Sequence, residues 1–199
     1  MNQETEEFWT TKYLTHTTGW DIGYPSDPLK AYIDQLTDKN VNILIPGAGN
    51  AYEAEYLLKS GFNNLHILDI SEVPLQKFKD RNPSFPIGSL IHDDFFTYSG
   101  EHALILEQTF FCSFPPTAEN RTAYFKQMAK LLTDKGKLAG VWFDFPKVDG
   151  DLINRPFGGT KEEYMEYLTP YFVIHSLAPC YNSIAPRAGK ELFGIFLKK

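Results

Sequence analysis

The stretch Val41-Asn-Ile-Leu-Ile-Pro-Gly-Ala-Gly-Asn-Ala-Tyr-Glu53 decides the fold of this chain. It opens with an apolar, β-branched run, which is typical of a strand buried on both faces of a parallel sheet. Pro46 ends that strand, because proline has no N–H to donate to a neighbour. Gly47 and Gly49 allow a tight turn in which the backbone can approach a ligand. The pattern becomes helical from Asn50. A strand, a glycine turn and the positive end of a helix predict a crevice for a polar ligand.

A carboxylate at Asp69 completes this pattern. It follows a second predicted strand, residues 65–68, and lies about 20 residues beyond the glycines, where it can accept both hydroxyls of a ribose. The third glycine of a dinucleotide site is replaced by Tyr52, whose ring disfavours close packing around a pyrophosphate. The alternative is a purely structural turn. The residues favour a nucleoside-type ligand without a pyrophosphate, and S-adenosylmethionine fits that description.

Composition predicts a single soluble domain over residues 1–199. The net charge of -6 argues against a nucleic-acid backbone or an anionic membrane as the main partner. No apolar run is long enough to span a bilayer, and the first residues do not resemble a signal peptide. Cys112 and Cys180 are the only cysteines, which favours a reducing, cytoplasmic setting. The five histidines show no metal-like pairing, so we expect no metal site. We also expect a small-molecule substrate and a monomer.

Residues 1–37 form a predicted amino-terminal helical arm that contains two tryptophans, Trp9 and Trp20. One account is that the indoles seal the end of the sheet. The other is that residues 8–25 form a lid over the crevice, in which an aromatic face stabilises a sulfonium cation. Both accounts remain open at this point.

The remaining pattern predicts an α/β fold with seven strands in the order 3-2-1-4-5-7-6 and helices on both faces of the sheet. All strands are expected to be parallel except the last, because right-handed crossovers connect alternating strands and helices. After the first two strands, the others are expected at residues 87–91, 103–107, 138–143, 172–177 and 192–197. A helix over residues 117–132 is expected to stop at Lys135-Gly136-Lys137.

Candidate site residues follow the predicted strands. Asp94 and Phe95 are expected at an adenine edge, and the alternative is an acidic loop anchored by two buried rings. Phe110, Phe111 and Cys112 follow the fourth strand beside the glycine turn, where reactants meet in open α/β sheets. Cys112 is a wall of a substrate pocket or a buried structural thiol.

A loop over residues 144–160 is long enough to be a substrate cover, and it contains Arg155 and Phe157. His92 is the only histidine near the crevice, and it is a candidate base or an ordinary loop histidine. These residues complete the predicted substrate side of the crevice.

The chain resembles the thiopurine S-methyltransferase family, and within it the halide and thiol methyltransferase branch. The resemblance runs from Phe8 to Gly194 and rests on five motifs: Trp20-Asp21-Ile22-Gly23-x-Pro25, Ile45-Pro46-Gly47-Ala48-Gly49, Leu68-Asp69-Ile70-Ser71, Asp94-Phe95-Phe96 and Glu107-Gln108-Thr109-Phe110-Phe111-Cys112. It implies a class I methyltransferase fold of the Rossmann-like kind, with S-adenosylmethionine as the cofactor. The implied donor contacts are Trp9, Trp20, Pro46, Gly47, Ala48, Gly49, Asp69, Ile70, Asp94, Phe95 and Glu107.

Two departures concern the methyl acceptor. Thiopurine enzymes have Asp-Arg where this chain has Glu107-Gln108, so one cation that could touch an anionic substrate is missing. The halide branch has Gly-Pro-Pro where this chain has Arg155-Pro156-Phe157-Gly158.

The resemblance implies methyl transfer by positioning, in which a soft, ionised acceptor such as a thiolate or halide needs no protein base. A domain that binds S-adenosylmethionine as a signal without catalysis is the main alternative. A nicotinamide-dependent reductase is disfavoured, because no Tyr-x-x-x-Lys is present. A nucleic-acid amino-methyltransferase is disfavoured because its Pro-Pro motif is absent after the fourth strand.

Overall fold

The fold is a seven-stranded sheet with the strand order 3-2-1-4-5-7-6, as described by a computed structural model that covers residues 5–146 and 150–199. The last strand is antiparallel to both of its neighbours, and the other described pairings are parallel. The predicted topology is therefore confirmed. Residues 1–4 of the predicted arm and residues 147–149 of the predicted substrate cover lie outside the described residues.

The strands alternate with helices along the chain. The strands are β1 (Ile43–Pro46), β2 (Leu65–Asp69), β3 (Leu90–His92), β4 (His102–Gln108), β5 (Leu132–Phe143), β6 (Phe172–Pro179) and β7 (Glu191–Lys198). The helices are α1 (Glu6–Leu14), α2 (Asp27–Ile33), α3 (Tyr52–Lys59), α4 (Glu72–Arg81), α5 (Ala118–Lys130) and α6 (Lys161–Leu168). Short 3₁₀ turns lie at Ile87–Ser89, Phe111–Ser113 and Ala185–Arg187.

The core has two apolar clusters, and β1 contributes to both. Leu44 belongs to the cluster that contains residues of α5 and α6, whereas Ile43 and Ile45 belong to the cluster that contains residues of α2, α3 and α4. Alternate residues of a strand point to opposite faces of a sheet, so this division shows that β1 is covered on both sides. All four residues of β1 are buried.

Two predicted boundaries are wrong. The third strand begins at Leu90 rather than Ile87, because Ile87–Ser89 forms a 3₁₀ turn after Pro86 in which Ile87 is 71% exposed. Residues 135–137 do not stop the α5 helix, which already ends at Lys130.

Instead, residues 135–137 lie inside the longer strand β5. Its pairing with β4 shifts between His102 and Leu104, and Lys135 takes a positive φ of 61° within the shifted segment. A lysine and a glycine at an irregularity of a strand resemble a helix stop in sequence, because both settings use a positive φ.

The amino-terminal arm crosses the carboxyl ends of the central strands. Helix α1 packs against α4, and the Thr10 and Ser71 hydroxyls are 2.7 Å apart in a hydrogen bond. None of the helices in the described parts of the chain combines the length and the apolar character that crossing a membrane requires.

Candidate functional site

The glycine turn after β1 leaves room for backbone only. Gly47 and Gly49 have positive φ angles of 56° and 53°. A Cβ atom at Gly47 would lie 2.0 Å from the Phe110 ring, and one at Gly49 would lie 2.9 Å from the Tyr13 hydroxyl. Both positions therefore need glycine for conformation and for space. The turn brings main chain to the carboxyl end of β1, which is the crevice that the sequence predicts.

Asp69 is held against this turn from two sides. The Gly49 amide donates to Asp69 Oδ2 over 2.8 Å, and the Ser71 amide donates to Oδ1 over 2.9 Å. Burial raises the pKa of Asp69 to about 6, and these two amides oppose that shift. Each carboxylate oxygen can accept a further hydrogen bond. The carboxylate is thus fixed in orientation and retains capacity for two more donors.

Two narrow cavities of about 70 Å³ each meet at Gly47. We call them together the inner crevice. The first is lined by Trp9, Gly47, Asp69, Ile70, Asp94 and Phe95, among others. The second is lined by Trp20, Pro46, Gly47, Ala48, Gly49 and Glu53, among others. Ten of the eleven residues expected to contact the donor line one or both of these cavities.

The exception is Glu107, which is fully buried and lines neither cavity. Its Oε1 accepts the amides of Phe110 over 2.7 Å and Phe111 over 2.8 Å. Burial raises the pKa of this carboxyl to about 8, against the lowering effect of the two amides and the Tyr124 hydroxyl. Glu107 therefore fixes the loop that places the Phe110 ring over Gly47.

Trp9 and Trp20 form a wall between the inner crevice and a third, larger cavity. Their ring centroids are 5.5 Å apart, with the planes at 79°. Trp9 lines the first narrow cavity and the third one, and Trp20 lines the second narrow cavity and the third one. The two tryptophans are therefore shared between the neighbouring cavities.

The third cavity has a volume of about 580 Å³, within the range typical of small-molecule sites. We call it the outer cavity. Phe143 and Phe145 form part of its apolar wall, and Cys112 also lines it. Its described lining includes four basic residues, Lys12, Arg155, Arg187 and Lys190, and no aspartate or glutamate.

Of the predicted substrate residues, the structure brings Cys112 and Arg155 to the outer cavity and Phe110 to the inner crevice. Phe111 and Phe157 are each 4% exposed and line none of the three cavities. The Phe157 amide donates to the carbonyl of Cys112. This part of the loop therefore holds the main chain of a residue that lines the outer cavity.

His92 lies outside all three cavities. Its Nε2 is 3.0 Å from both Glu6 Oε1 and the Ile70 carbonyl oxygen. This position joins α1 to the end of β2, and it does not face the outer cavity.

Lys12, Arg187 and Lys190 are site residues that the sequence reasoning missed. Lys12 lies in the predicted arm, and Arg187 and Lys190 lie between the last two predicted strands; none of the three was an expected site residue. A signal was available for the segment between those strands. Because β7 is antiparallel to β5, Glu191 pairs with Phe143 at the carboxyl end of β5. The loop before β7 must therefore reach the edge of the sheet where the crevice opens.

The arm is tied to the crevice by polar contacts at several points. Arg187 Nη2 donates to the Trp20 carbonyl over 2.8 Å. The Ser26 amide donates to Glu53 Oε1 over 2.9 Å, and the Ser26 hydroxyl donates to Gln108 Oε1 over 2.6 Å. These contacts hold Trp20 and the loop that carries it across the crevice.

Known proteins resemble this chain over nearly its full length. The family model for thiopurine S-methyltransferase matches residues 4–197. A protein of Arabidopsis thaliana named probable thiol methyltransferase 2 is 26% identical over 204 residues, covering 100% of this chain and 88% of the relative. Thiocyanate methyltransferase 1 of Brassica oleracea is 28% identical over 196 residues, covering 96% and 84%.

Among solved structures, the 1,6-didemethyltoxoflavin-N1-methyltransferase of Burkholderia thailandensis, with bound 1,6-didemethyltoxoflavin and S-adenosylhomocysteine, has a TM-score of 0.76. It is 16% identical, and the match covers 98% of this chain and 87% of that one. At this identity the likeness is one of fold.

Proposed function

Because the chain belongs to the thiopurine S-methyltransferase family, we propose that it moves a methyl group from S-adenosylmethionine to a small, soft nucleophile such as a thiol, a thiopurine-like sulfur or a halide. S-Adenosylmethionine is the donor that this family uses. The observation that carries the proposal is the shared wall of Trp9 and Trp20, which borders the inner crevice on one side and the outer cavity on the other.

The inner crevice fits the donor by its chemistry. Asp69 offers a fixed carboxylate for the ribose, and Asp94 and Phe95 offer an acceptor and an aromatic side chain for the adenine. Gly47 and Gly49 form a cradle that any side chain would fill. In the second narrow cavity, Glu53 and Arg187 provide charges of opposite sign, which suits the ammonium and carboxylate of an amino acid.

The chain's own residues contribute position and a low-dielectric wall. Trp9 and Trp20 present aromatic surface at the boundary between the cavities, where a cation is stabilised by the ring quadrupole. S-Adenosylmethionine would supply an activated methyl group here, which a thiolate acceptor would take with release of S-adenosylhomocysteine, while Trp9 and Trp20 would hold the acceptor sulfur in line with that group. Holding two reactants in line can lower the barrier by ~7–11 kcal/mol.

The described residues around the outer cavity favour an acceptor that arrives ionised. His92 does not line this cavity. Cys112 does, but burial and the nearby Glu107 raise the pKa of its thiol far above neutral pH, and its Sγ donates to the Thr109 carbonyl. A neutral thiol is a poor base and a poor nucleophile. Acceptors that need no proton removed at the site, such as thiolates and halides, fit best.

A domain that only binds the donor would not need the outer cavity. The test begins with calorimetry of S-adenosylmethionine and S-adenosylhomocysteine, and both are expected to bind. A screen of acceptors with an isotopically labelled methyl donor follows. Label in small thiols or halides supports the proposal, and label only in protein or nucleic acid contradicts it. Donor binding without transfer to any acceptor would support the non-catalytic alternative.

The proposal includes a monomer in the cytoplasm. The cytoplasmic setting is supported by Cys112 and Cys180, both free thiols in the structure. Light scattering on the purified protein measures the mass, and a stable dimer would contradict this part of the proposal.

A further inference from the structure

The outer cavity has a charge opposite to that of the whole protein. The chain carries a net charge of -6. The described residues that line this cavity nevertheless include Lys12, Arg155, Arg187 and Lys190 and no carboxylate. A cleft lined by one sign of charge with apolar walls concentrates the field and attracts ligands of the opposite sign.

The contacts of the two arginines place their charge at the cavity wall. Arg155 Nε donates to the Ser113 carbonyl over 2.9 Å, and its guanidinium lies over the rings of Trp9 and Phe157 at 5.7 and 5.1 Å from the centroids. Arg187 Nη1 is 3.5 Å from Glu191 Oε1, so one buried carboxylate offsets part of its charge from behind. Lys190 is exposed and Lys12 half-buried. Even where partners offset the charges of both arginines, these two lysines leave the described lining of the cavity positive.

The size of the cavity favours an organic anion over a small inorganic one such as a halide. A volume of about 580 Å³ is typical of sites for drug-sized ligands, which range over roughly 300–1,000 Å³. A halide or hydrosulfide would leave most of this space and most of the basic residues unused. Phe143, Phe145 and Pro156 add an apolar wall that an organic body can cover.

Resting on the proposed function, we propose that the acceptor is an organic thiol with a separate acidic group, which the basic residues of the outer cavity hold while the sulfur faces Trp9 and Trp20. The guanidinium groups also favour the thiolate over the thiol, because a nearby positive charge lowers the pKa of a thiol. The acidic group is a carboxylate or an anion of similar charge, for which a guanidinium has matching geometry.

The experiment compares two acceptors that differ in charge, 4-mercaptobenzoate and 4-mercaptobenzamide. We expect kcat/KM to be roughly tenfold higher or more for the carboxylate, because a hydrogen bond to a charged group is stronger than one to a neutral amide. The Lys12→Met/Lys190→Met variant should reduce this preference, because both lysines line the cavity. The Lys126→Met/Lys161→Met variant, which removes the same charge at exposed sites outside the cavity, should not.

A binding measurement separates this inference from catalysis. Calorimetry without donor uses the methylated products, 4-(methylsulfanyl)benzoate and its amide. The carboxylate should bind more tightly, and added salt should weaken its binding. Equal binding and equal turnover of the charged and neutral compounds would overturn the inference and leave the proposed function standing. Turnover confined to halide or hydrosulfide would do the same. Transfer to no thiol or halide at all would overturn both.

Discussion

The indole rings of Trp9 and Trp20 meet edge to face, with their centroids 5.5 Å apart and their planes at 79°. Tyr13 extends this contact, since its ring lies 5.9 Å from that of Trp20. Trp9 belongs to α1 and Trp20 to the loop before α2, so the pair exists only because the arm folds back over the sheet. Edge-to-face pairs of this kind contribute about 0.5–1.5 kcal/mol beyond area burial.

The first prediction follows from the narrowness of the inner crevice. Cavities of about 70 Å³ are smaller than the roughly 300 Å³ that small-molecule sites begin at, so a donor must displace Trp9, Phe110 or both. Adding S-adenosylmethionine should therefore change tryptophan fluorescence and protect residues 8–25 from proteolysis.

The third tryptophan provides the control. Trp142 is 2% exposed within β5. The fluorescence change should survive Trp142→Phe and disappear in Trp9→Phe/Trp20→Phe. A response that depends on Trp142 alone would show that the arm is not a lid.

The second prediction concerns Asp69. Asp69→Ala should weaken S-adenosylmethionine binding at least tenfold, because two charged hydrogen bonds of ~1.5–3 kcal/mol each would be lost. Calorimetry measures the dissociation constant, and circular dichroism checks that the variant is folded. Asp80→Ala, at an exposed position of α4, is the matched control. An unchanged dissociation constant for Asp69→Ala would place the ribose elsewhere.

The pKa of Asp69 adds a third prediction, on pH. Burial raises this pKa to about 6 in the free protein. In the proposed site the ionised carboxylate would accept from both ribose hydroxyls, so the donor should bind this form more tightly. Below pH 6 the Asp69 carboxyl is protonated and must lose that proton before the donor binds. The dissociation constant should therefore rise roughly tenfold for each unit by which the pH falls below 6. Calorimetry between pH 5 and 8 measures this slope. Binding that is independent of pH in this window would contradict the role of Asp69.

The sequence predicted the site best where the local backbone conformation restricts which residue type can stand at a position. Gly47 and Gly49 take positive φ, and Asp69 is the last residue of β2, which pairs with β1. These features are close in sequence, so their spacing alone predicts the part of the inner crevice that they form. The two-sided burial of β1 likewise follows from an unbroken apolar run.

The outer cavity could not be predicted in the same way. Lys12, Arg155 and Arg187 come from three distant parts of the chain, and each looks like an ordinary surface cation in sequence. Glu107 was expected to contact the donor, but it lies behind the loop that it supports. Whether a carboxylate at a strand end faces the ligand or the main chain of the next loop depends on the path of that loop, which spacing does not determine.

The fourth prediction separates backbone strain from lack of space at the glycine turn. Gly47→Ala forces an L-residue into positive φ and places a Cβ 2.0 Å from the Phe110 ring. Gly61→Ala meets the same conformational penalty at φ 88°, but nothing lies within 4 Å of its Cβ. Gly61→Ala should lower the free energy of unfolding by about 1 kcal/mol and leave donor binding unchanged.

Gly47→Ala should destabilise the protein more and should also weaken donor binding, because the Phe110 ring must move over the crevice. Urea unfolding and calorimetry on both variants measure the two effects. Equal behaviour of the two variants would mean that Phe110 does not constrain the turn.

The fifth prediction concerns the stability of the protein as a function of pH, and it isolates Glu107. Burial raises the pKa of this carboxyl to about 8 from an ordinary value of 4.5. Between these values the folded state keeps the proton and the unfolded state has lost it, so the free energy of unfolding falls as pH rises through this window and levels off above pH 8.

Glu107→Gln cannot titrate, and its carbonyl oxygen can still accept the amides of Phe110 and Phe111. The variant should therefore lose less stability than the wild type between pH 5 and 8 in urea titrations. Glu166→Gln, an exposed change on α6, should follow the wild-type curve. Parallel curves for wild type and Glu107→Gln would show that Glu107 is already ionised in the folded protein, and that the Phe110 loop is held by a carboxylate rather than by a neutral acid.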